Sequence, residues 1–337
     1  MSEVPLVPPG ARAQCLSVPG GTVRVLRDRA SGDDAATPDT GDATDDTGDA
    51  TDDTGGPRPV PVLLLHGGGS DCAAVSWYEL FETIGGFGPP GGPREDAPAR
   101  AVYAPDLPGF GLTTVSPVGG PDRQAAFVAD VADRLGVSRC VVVGVSMGGD
   151  VALNLALARP DLVAALVLIA PGGLVPIFRN RPLQLLAWAA SRLPEPVLNP
   201  LVRLANRHID VALRSVVRDV GSLPEPVRRE FAAQARRHPE GLGYRRYNQA
   251  TLGPTGMRNN LLPVVARIAA PTLFFHGRDD GLVDPRGSAQ AARRMPHARL
   301  VLVPECGHWA QLEASRRFAA ELQRFFGDLA DLGLLEG

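Results

Sequence analysis

Val141-Val142-Val143-Gly144-Val145-Ser146-Met147-Gly148-Gly149 is the stretch that decides the fold. An apolar β-branched run stops at a glycine, and a serine follows two residues later. Two more glycines lead into a helix-like segment, Asp150 to Ala158, closed by Pro160. A continuous apolar run suits a strand buried on both faces. The small residues let the chain reverse so tightly that Ser146 is lifted above the sheet in a strained conformation, its hydroxyl exposed. Gly144-Val145-Ser146-Met147-Gly148 thus fits G-x-S-x-G in the strand, sharp turn, helix setting that gives the pattern its meaning. The helix starts at the turn, so its free N–H groups and positive dipole end face whatever sits on that hydroxyl.

Similar units repeat on either side. Val60 to Leu65 is a buried strand ending in His66-Gly67-Gly68-Gly69. Residues 75–84 look helical, 85–98 form a Gly/Pro-rich surface loop, and 101–104 form a short strand. An amphipathic helix over 122–135 leads into the serine strand, and 164–170 is the next buried strand. Strands alternating with helices predict an α/β fold with a mostly parallel, doubly wound sheet. The alternation breaks at Pro171-Gly172-Gly173. From 174 to 260 there are Arg-rich helical stretches (183–193, 197–219, 225–237) and no buried strand, which fits an inserted helical lid. Alternation resumes with a strand at 271–275, a helix at 285–294, a strand at 299–303 and a helix at 309–326, leaving the last ten residues as a loose tail. Residues 13–29 read as a hairpin around Pro19-Gly20-Gly21. The core is therefore assigned to 1–173 and 261–337, the lid to 174–260.

Composition narrows the function. A hydrophobic content of 44% over 337 residues supports a sizeable core, and a net charge of −3 points to neither a nucleic-acid nor a membrane partner. Residues 31–56 hold nine Asp and no Lys or Arg, so the remainder of the chain is mildly basic. Gly-Asp-Ala-Thr-Asp-Asp-Thr occurs there twice, at 41–47 and 48–54, and without apolar residues it is expected to be a disordered acidic loop. It lacks the ligand pattern and terminal Glu of an EF-hand loop, and no metal or cofactor is expected. Cys15, Cys72, Cys140 and Cys306 form no C-x-x-C pair, which suits free thiols in a reducing compartment. The first residues show no charged-then-apolar pattern, so no leader is expected, and no apolar run of about 18 residues crosses the chain. A cytoplasmic enzyme acting on a small molecule is expected, with a homodimer left open.

A serine hydroxyl needs a base within hydrogen-bond reach, itself oriented by a third group. In open α/β sheets such groups lie in loops beyond the carboxyl ends of strands. Two late loops qualify: His276-Gly277-Arg278-Asp279-Asp280-Gly281 and Pro304-Glu305-Cys306-Gly307-His308-Trp309. His308 is the candidate base. His66 is expected to support the glycine loop and His276 to pack under the sheet. His208, His238 and His297 are expected to be solvated. For the acid, Asp280 competes with Asp279, Asp284 and Asp106, and spacing alone does not separate Asp279 from Asp280. An oxyanion hole needs two converging N–H donors. Met147, after the nucleophile, supplies one, and Gly68 of the glycine loop is favoured for the other.

Together these segments resemble the α/β-hydrolase superfamily, and within it the carbon–carbon bond hydrolases of meta-cleavage products and related esterases. The resemblance rests on His66-Gly67-Gly68-Gly69, Ser146-Met147-Gly148-Gly149, Ala170-Pro171-Gly172-Gly173-Leu174, Gly277-Arg278-Asp279-Asp280 and Cys306-Gly307-His308-Trp309-Ala310-Gln311, spread over residues 60 to 326. It implies that Asp280, the second Asp of its segment, is the acid. A serine at the elbow, where an Asp would form an alkyl ester, sets the chain apart from dehalogenases and epoxide hydrolases. Two departures from the carbon–carbon pattern stand out: Val145 replaces an Asn before the nucleophile, and Phe231 falls near the point where those enzymes carry a lid arginine for the substrate's carboxylate, with Arg228, Arg229, Arg236 and Arg237 close by.

The expected function is a serine hydrolase with Ser146, His308 and Asp280 as triad, Gly68 and Met147 as oxyanion donors, and Gly69, Val145, Trp309, Trp188 and Phe231 at the substrate. Leu185, Leu186, Leu201 and Leu204 of the lid are further candidates for an apolar pocket. The substrate would be a small or medium apolar ester, lactone or ketone. Rival readings are a carbon–carbon hydrolase, a cyclase or haloperoxidase-like enzyme on the same fold, and a non-catalytic ligand receptor.

Overall fold

The computed structural model describes residues 4–28, 59–81 and 100–335. The acidic tract 31–56 and the loop 85–98 lie outside the described residues. Eight strands form a single sheet in the order β1-β2-β4-β3-β5-β6-β7-β8. They are β1 (Ala11–Val18), β2 (Gly21–Asp28), β3 (Val62–Leu65), β4 (Val102–Pro105), β5 (Cys140–Val145), β6 (Val163–Ile169), β7 (Thr272–Gly277) and β8 (Ala298–Val303). The β1–β2 hairpin and the β2–β4 pair are antiparallel, and every pair from β4 through β8 is parallel.

The central strands are apolar throughout because helices cover both faces. Val141, Val143 and Val145 of β5 pack with Val62 and Leu64 of β3 and with Val167 and Ile169 of β6 on one side. Cys140 and Val142 join Leu63, Leu65, Leu166 and Leu168 on the other. Helices α1 (Ala73–Ser76), α2 (Pro121–Arg134) and α3 (Met147–Ala158) connect the first half. Helices α9 (Pro285–Arg294), α10 (Ala310–Glu313) and α11 (Ser315–Asp331) complete the second.

Between β6 and β7 the chain leaves the sheet for α4 (Arg181–Ser191), α5 (Glu195–Asn206), α6 (Ile209–Val216), α7 (Glu225–Arg237) and α8 (Leu242–Thr251). Three expectations need correction here. The single helix expected over 197–219 is two, divided at Arg207 and His208, where Asn206 Nδ2 donates to Pro239 O of another lid segment. Helix α8 escaped notice because Leu242-Gly243-Tyr244-Arg245-Arg246-Tyr247 is a poor helix former; burial of Tyr247 and the Arg245–Glu195 ion pair hold it. The tail is not loose. Helix α11 continues to Asp331, Leu329 and Leu335 are buried, and Val60 N–H donates to Leu335 O at 3.0 Å.

Candidate active site

The elbow forms because glycines allow backbone to touch backbone. A Cβ at Gly148 would stand 2.1 Å from Leu65 O, and one at Gly144 would stand 2.5 Å from Gly148 O. Those contacts drive β5 straight into α3 with no intervening loop. Ser146 takes the strain, at φ 54° and ψ −115°. Among the described residues, the other non-glycine residues at positive φ include Ala170, after β6, and Glu305, after β8. Strain thus gathers where strands of the parallel sheet open into the site.

The glycine loop after β3 lies against the nucleophile: a Cβ built on Gly67 would be 3.6 Å from Ser146 Cβ. Asp71 fixes this loop. Its carboxylate accepts from Gly67 N at 2.8 Å, Cys72 N at 2.8 Å and Ser76 Oγ at 2.6 Å. Burial pushes the Asp71 carboxyl above its ordinary pKa against those bonds and against nearby His66. His66 Nε2 accepts from Leu107 N at 2.9 Å, so its Nδ1 carries the proton and donates to Gly67 O at 2.7 Å. His66 therefore supports the loop. With Gly67 N–H committed to Asp71, Gly68 and Gly69 are the loop amides left to face the site. The Tyr244 ring lies over Gly68, and Gly69 lines the cavity.

Of the four acids weighed, Asp280 reaches a histidine that faces the cavity. His308 Nδ1 donates to Asp280 Oδ2 at 2.7 Å. Asp280 Oδ1 accepts from the amides of Leu282 at 2.8 Å and Val283 at 3.0 Å. Burial would raise this carboxyl, but hydrogen bonds from His276 and then His308 outweigh it and hold it well below the usual carboxylate range. Asp279 pairs with Arg218, Asp284 caps α9, and Asp106 binds the amides of Ala73 and Leu112.

Two features tie the His308 loop to the lid. His308 N–H donates to Val216 O at 2.8 Å, and the Glu313 carboxylate accepts from Gly307 N and from Arg218 N. Ser146, Met147, Gly69 and His308 line a common cavity of about 540 Å³ roofed by α4, α5 and α8. Its lining is mostly apolar, including Val175, Phe178, Leu198, Val202, Leu252 and Met257.

Other expected substrate contacts lie elsewhere. Val145 is buried in the sheet, and Trp188 is outside the lining. Phe231 and Trp309 pack edge to face, centroids 5.3 Å apart, and belong to the core beneath the lid. Leu185, Leu186, Leu201 and Leu204 point outward, because the small and apolar residues Ala187, Ala190, Leu198 and Val202 already occupy the cavity side of their helices.

Two groups were missed. His276 does not simply pack under the sheet. Its Nε2 faces both Asp280 Oδ2 and Val283 O at 3.1 Å, and its Nδ1 lies 2.8 Å from Ser288 Oγ. The other is Asp150, four residues beyond the nucleophile and fully buried, bound by Tyr247 OH at 2.7 Å and by Asn259 and Asn154. Burial pushes its carboxyl up to about 7, against those hydrogen bonds. An acid within a helix that is apolar apart from Asn154 was the available signal. His238 is also not simply solvated, since its Nε2 contacts Gly111 O at 2.8 Å.

The model of the alpha/beta hydrolase fold matches residues 60–315. A 2-hydroxy-6-oxononadienedioate/2-hydroxy-6-oxononatrienedioate hydrolase of Comamonas testosteroni is 32% identical over 76% of this chain and 84% of its own. A 2-hydroxy-6-oxo-6-phenylhexa-2,4-dienoate hydrolase of Burkholderia cepacia is 30% identical over the same shares, 76% and 84%. Among solved structures, a thermophilic esterase from Thermogutta terrifontis superimposes with a TM-score of 0.62 at 19% identity, over 95% of this chain and 99% of that one. With its parallel sheet, its serine elbow and these relatives, the chain belongs to the alpha/beta hydrolase fold family and is a hydrolase of the esterase or carbon–carbon type.

Proposed function

We propose that this enzyme is a serine hydrolase whose triad is Ser146, His308 and Asp280, acting on a small or medium apolar ester, lactone or ketone. One observation carries the proposal: a strained serine at the start of α3 opens into the same cavity as a histidine whose Nδ1 is held by a buried carboxylate. With Nδ1–H committed to Asp280, the Nε2 lone pair of His308 is the base that takes the Ser146 Oγ proton. Oγ then attacks the carbonyl carbon. The N–H of Met147 has no acceptor within its own helix, and together with Gly68 N–H it would stabilise the oxyanion. His308 Nε2–H returns its proton to the leaving group. A water, activated by the same nitrogen, releases the acyl group. Apolar walls select the substrate by its hydrocarbon part.

The relatives favour a second reading. The two relatives are named as hydrolases of 2-hydroxy-6-oxo-6-phenylhexa-2,4-dienoate and of 2-hydroxy-6-oxononadienedioate or 2-hydroxy-6-oxononatrienedioate, so a carbon–carbon bond cleaved beside a ketone is the alternative. A chromogenic ester and diketone panel with Ser146→Ala as control separates the two. The triad predicts a loss of about 10⁴-fold or more in kcat/KM for Ser146→Ala. Wild-type turnover by that variant would sink it.

A further inference from the structure

The outer face of the lid is apolar where solvent would favour polar side chains. Helix α4 and its exit expose Pro182, Leu185, Leu186, Ala189 and Leu193, spaced three and four apart so that they share one side. Helix α5 exposes Val197, Leu201 and Leu204 at the same kind of spacing. Exposure reaches 64% at Leu186, 53% at Leu201 and Leu204, and 51% at Leu185. Neighbouring positions of the same helices, Ala187 and Ala190 of α4 and Leu198 and Val202 of α5, line the cavity. These helices are therefore apolar on two sides, and among the described residues nothing covers the outer one.

Charge says what would cover it. Residues 174–260 contain fourteen arginines, no lysine and six carboxylates. Arg181, Arg192, Arg203 and Arg207 are all exposed on or at the ends of the two helices that carry this face, Arg203 in a surface ion pair with Glu240. Of the acids there, Glu195 is already held by Arg245 and Arg246. A second copy would set two arginine-rich surfaces against each other. Helices of 11 and 12 residues are too short to span a bilayer but long enough to lie in its interface.

We propose that the α4–α5 face of the lid docks reversibly on an anionic phospholipid surface. The leucines enter the acyl boundary, and the surrounding guanidinium groups meet lipid phosphates, an arrangement suited to arginine's fork of donors. Docking would hold the cavity roof against the interface. The expectation of no membrane partner came from the charge of the whole chain, which the acidic tract masks.

Vesicle flotation of the full chain tests this. Vesicles of phosphatidylcholine with phosphatidylglycerol should retain at least about tenfold more protein than phosphatidylcholine alone, and high salt should reduce the difference. The double variant Leu186→Glu/Leu201→Glu should lose binding while keeping the wild-type far-ultraviolet circular dichroism spectrum. Ser146→Ala should bind as wild type, which separates docking from the catalytic proposal. Equal retention by both vesicles, or none, would overturn docking. So would a sedimenting dimer that the two glutamates dissociate, which would give the face to a second copy.

Discussion

His276 shares with His308 one oxygen of Asp280: its Nε2 lies 3.1 Å from the Oδ2 that His308 Nδ1 approaches to 2.7 Å. Nε2 of His276 faces two acceptors, Asp280 Oδ2 and Val283 O, so it carries the proton, and Ser288 Oγ–H donates to Nδ1. Together with the two backbone amides on Oδ1, these donors fix the carboxylate in one rotamer. They also disperse its charge, so His308 feels a moderated negative field.

Removing that ring should therefore lower the rate and change how stability depends on pH. In His276→Ala the Asp280 carboxylate loses one of the donors that fix its rotamer against His308, so kcat/KM should fall about tenfold. The stability sign follows from the depressed Asp280 pKa. The contribution is present above the unfolded carboxylate pKa and is lost as pH falls through the folded one. His276→Ala should thus lose more stability at pH 7 than at pH 3, measured by urea unfolding. An equal loss of stability at the two pH values would mean that the ring only fills space.

Asp150 has the opposite sign. Its folded pKa is about 7 against an ordinary carboxyl value of 3.8, so its stabilising contribution is complete below the lower value and disappears as pH climbs to the higher one. Asp150→Asn removes the burden of a buried charge while keeping partners for Tyr247 and Asn259. The variant's gain in unfolding free energy should exceed its gain at pH 5 by about 2 kcal/mol at pH 8, one pKa unit being about 1.4 kcal/mol. Denaturant midpoints at the two pH values measure the difference, and a gain independent of pH would contradict it.

Backbone strain at the nucleophile predicts a trade between stability and activity. At φ 54° a residue without Cβ is at ease, so Ser146→Gly should be inactive yet more stable than wild type by about 1 kcal/mol. Ser146→Ala, which keeps the Cβ, should be inactive without that gain. Calorimetric melting of the pair compares them directly.

Gly148→Ala should do severe damage from a single methyl group. Its Cβ would meet Leu65 O and His66 O at 2.1 and 2.5 Å, both backbone atoms that cannot step aside cheaply. A loss of about 3 kcal/mol or more, or failure to accumulate folded protein, is the expected outcome. A wild-type melting temperature would show that the elbow can relax.

The local grammar of the chain was enough for much of this. Apolar runs at 60–65, 141–145 and 164–170 read as buried strands, and glycines 144 and 148 around a serine dictate a turn too tight for other residues. These features act over a few residues, so they are legible in order along the sequence. The resemblance to a family then picked Asp280 over Asp279, which spacing could not do.

Other relationships needed the folded chain, because they join segments with no sequential link. Helix α8 lacks intrinsic propensity and exists through the burial of Tyr247, nearly one hundred residues from the Asp150 that it binds (|i−j| 97). His276 looked like a core residue until the β7 exit loop folded back to place Asp280 beside it. The direction of the lid leucines was equally hidden, since periodicity says that side chains share a face without saying which face meets the cavity. Sequence determined the strands, the elbow and the candidate nucleophile. Tertiary structure decided the partners of Asp280, the burial of Asp150 and the outward turn of Leu186 and Leu201, because burial and electrostatics depend on what long-range packing brings alongside.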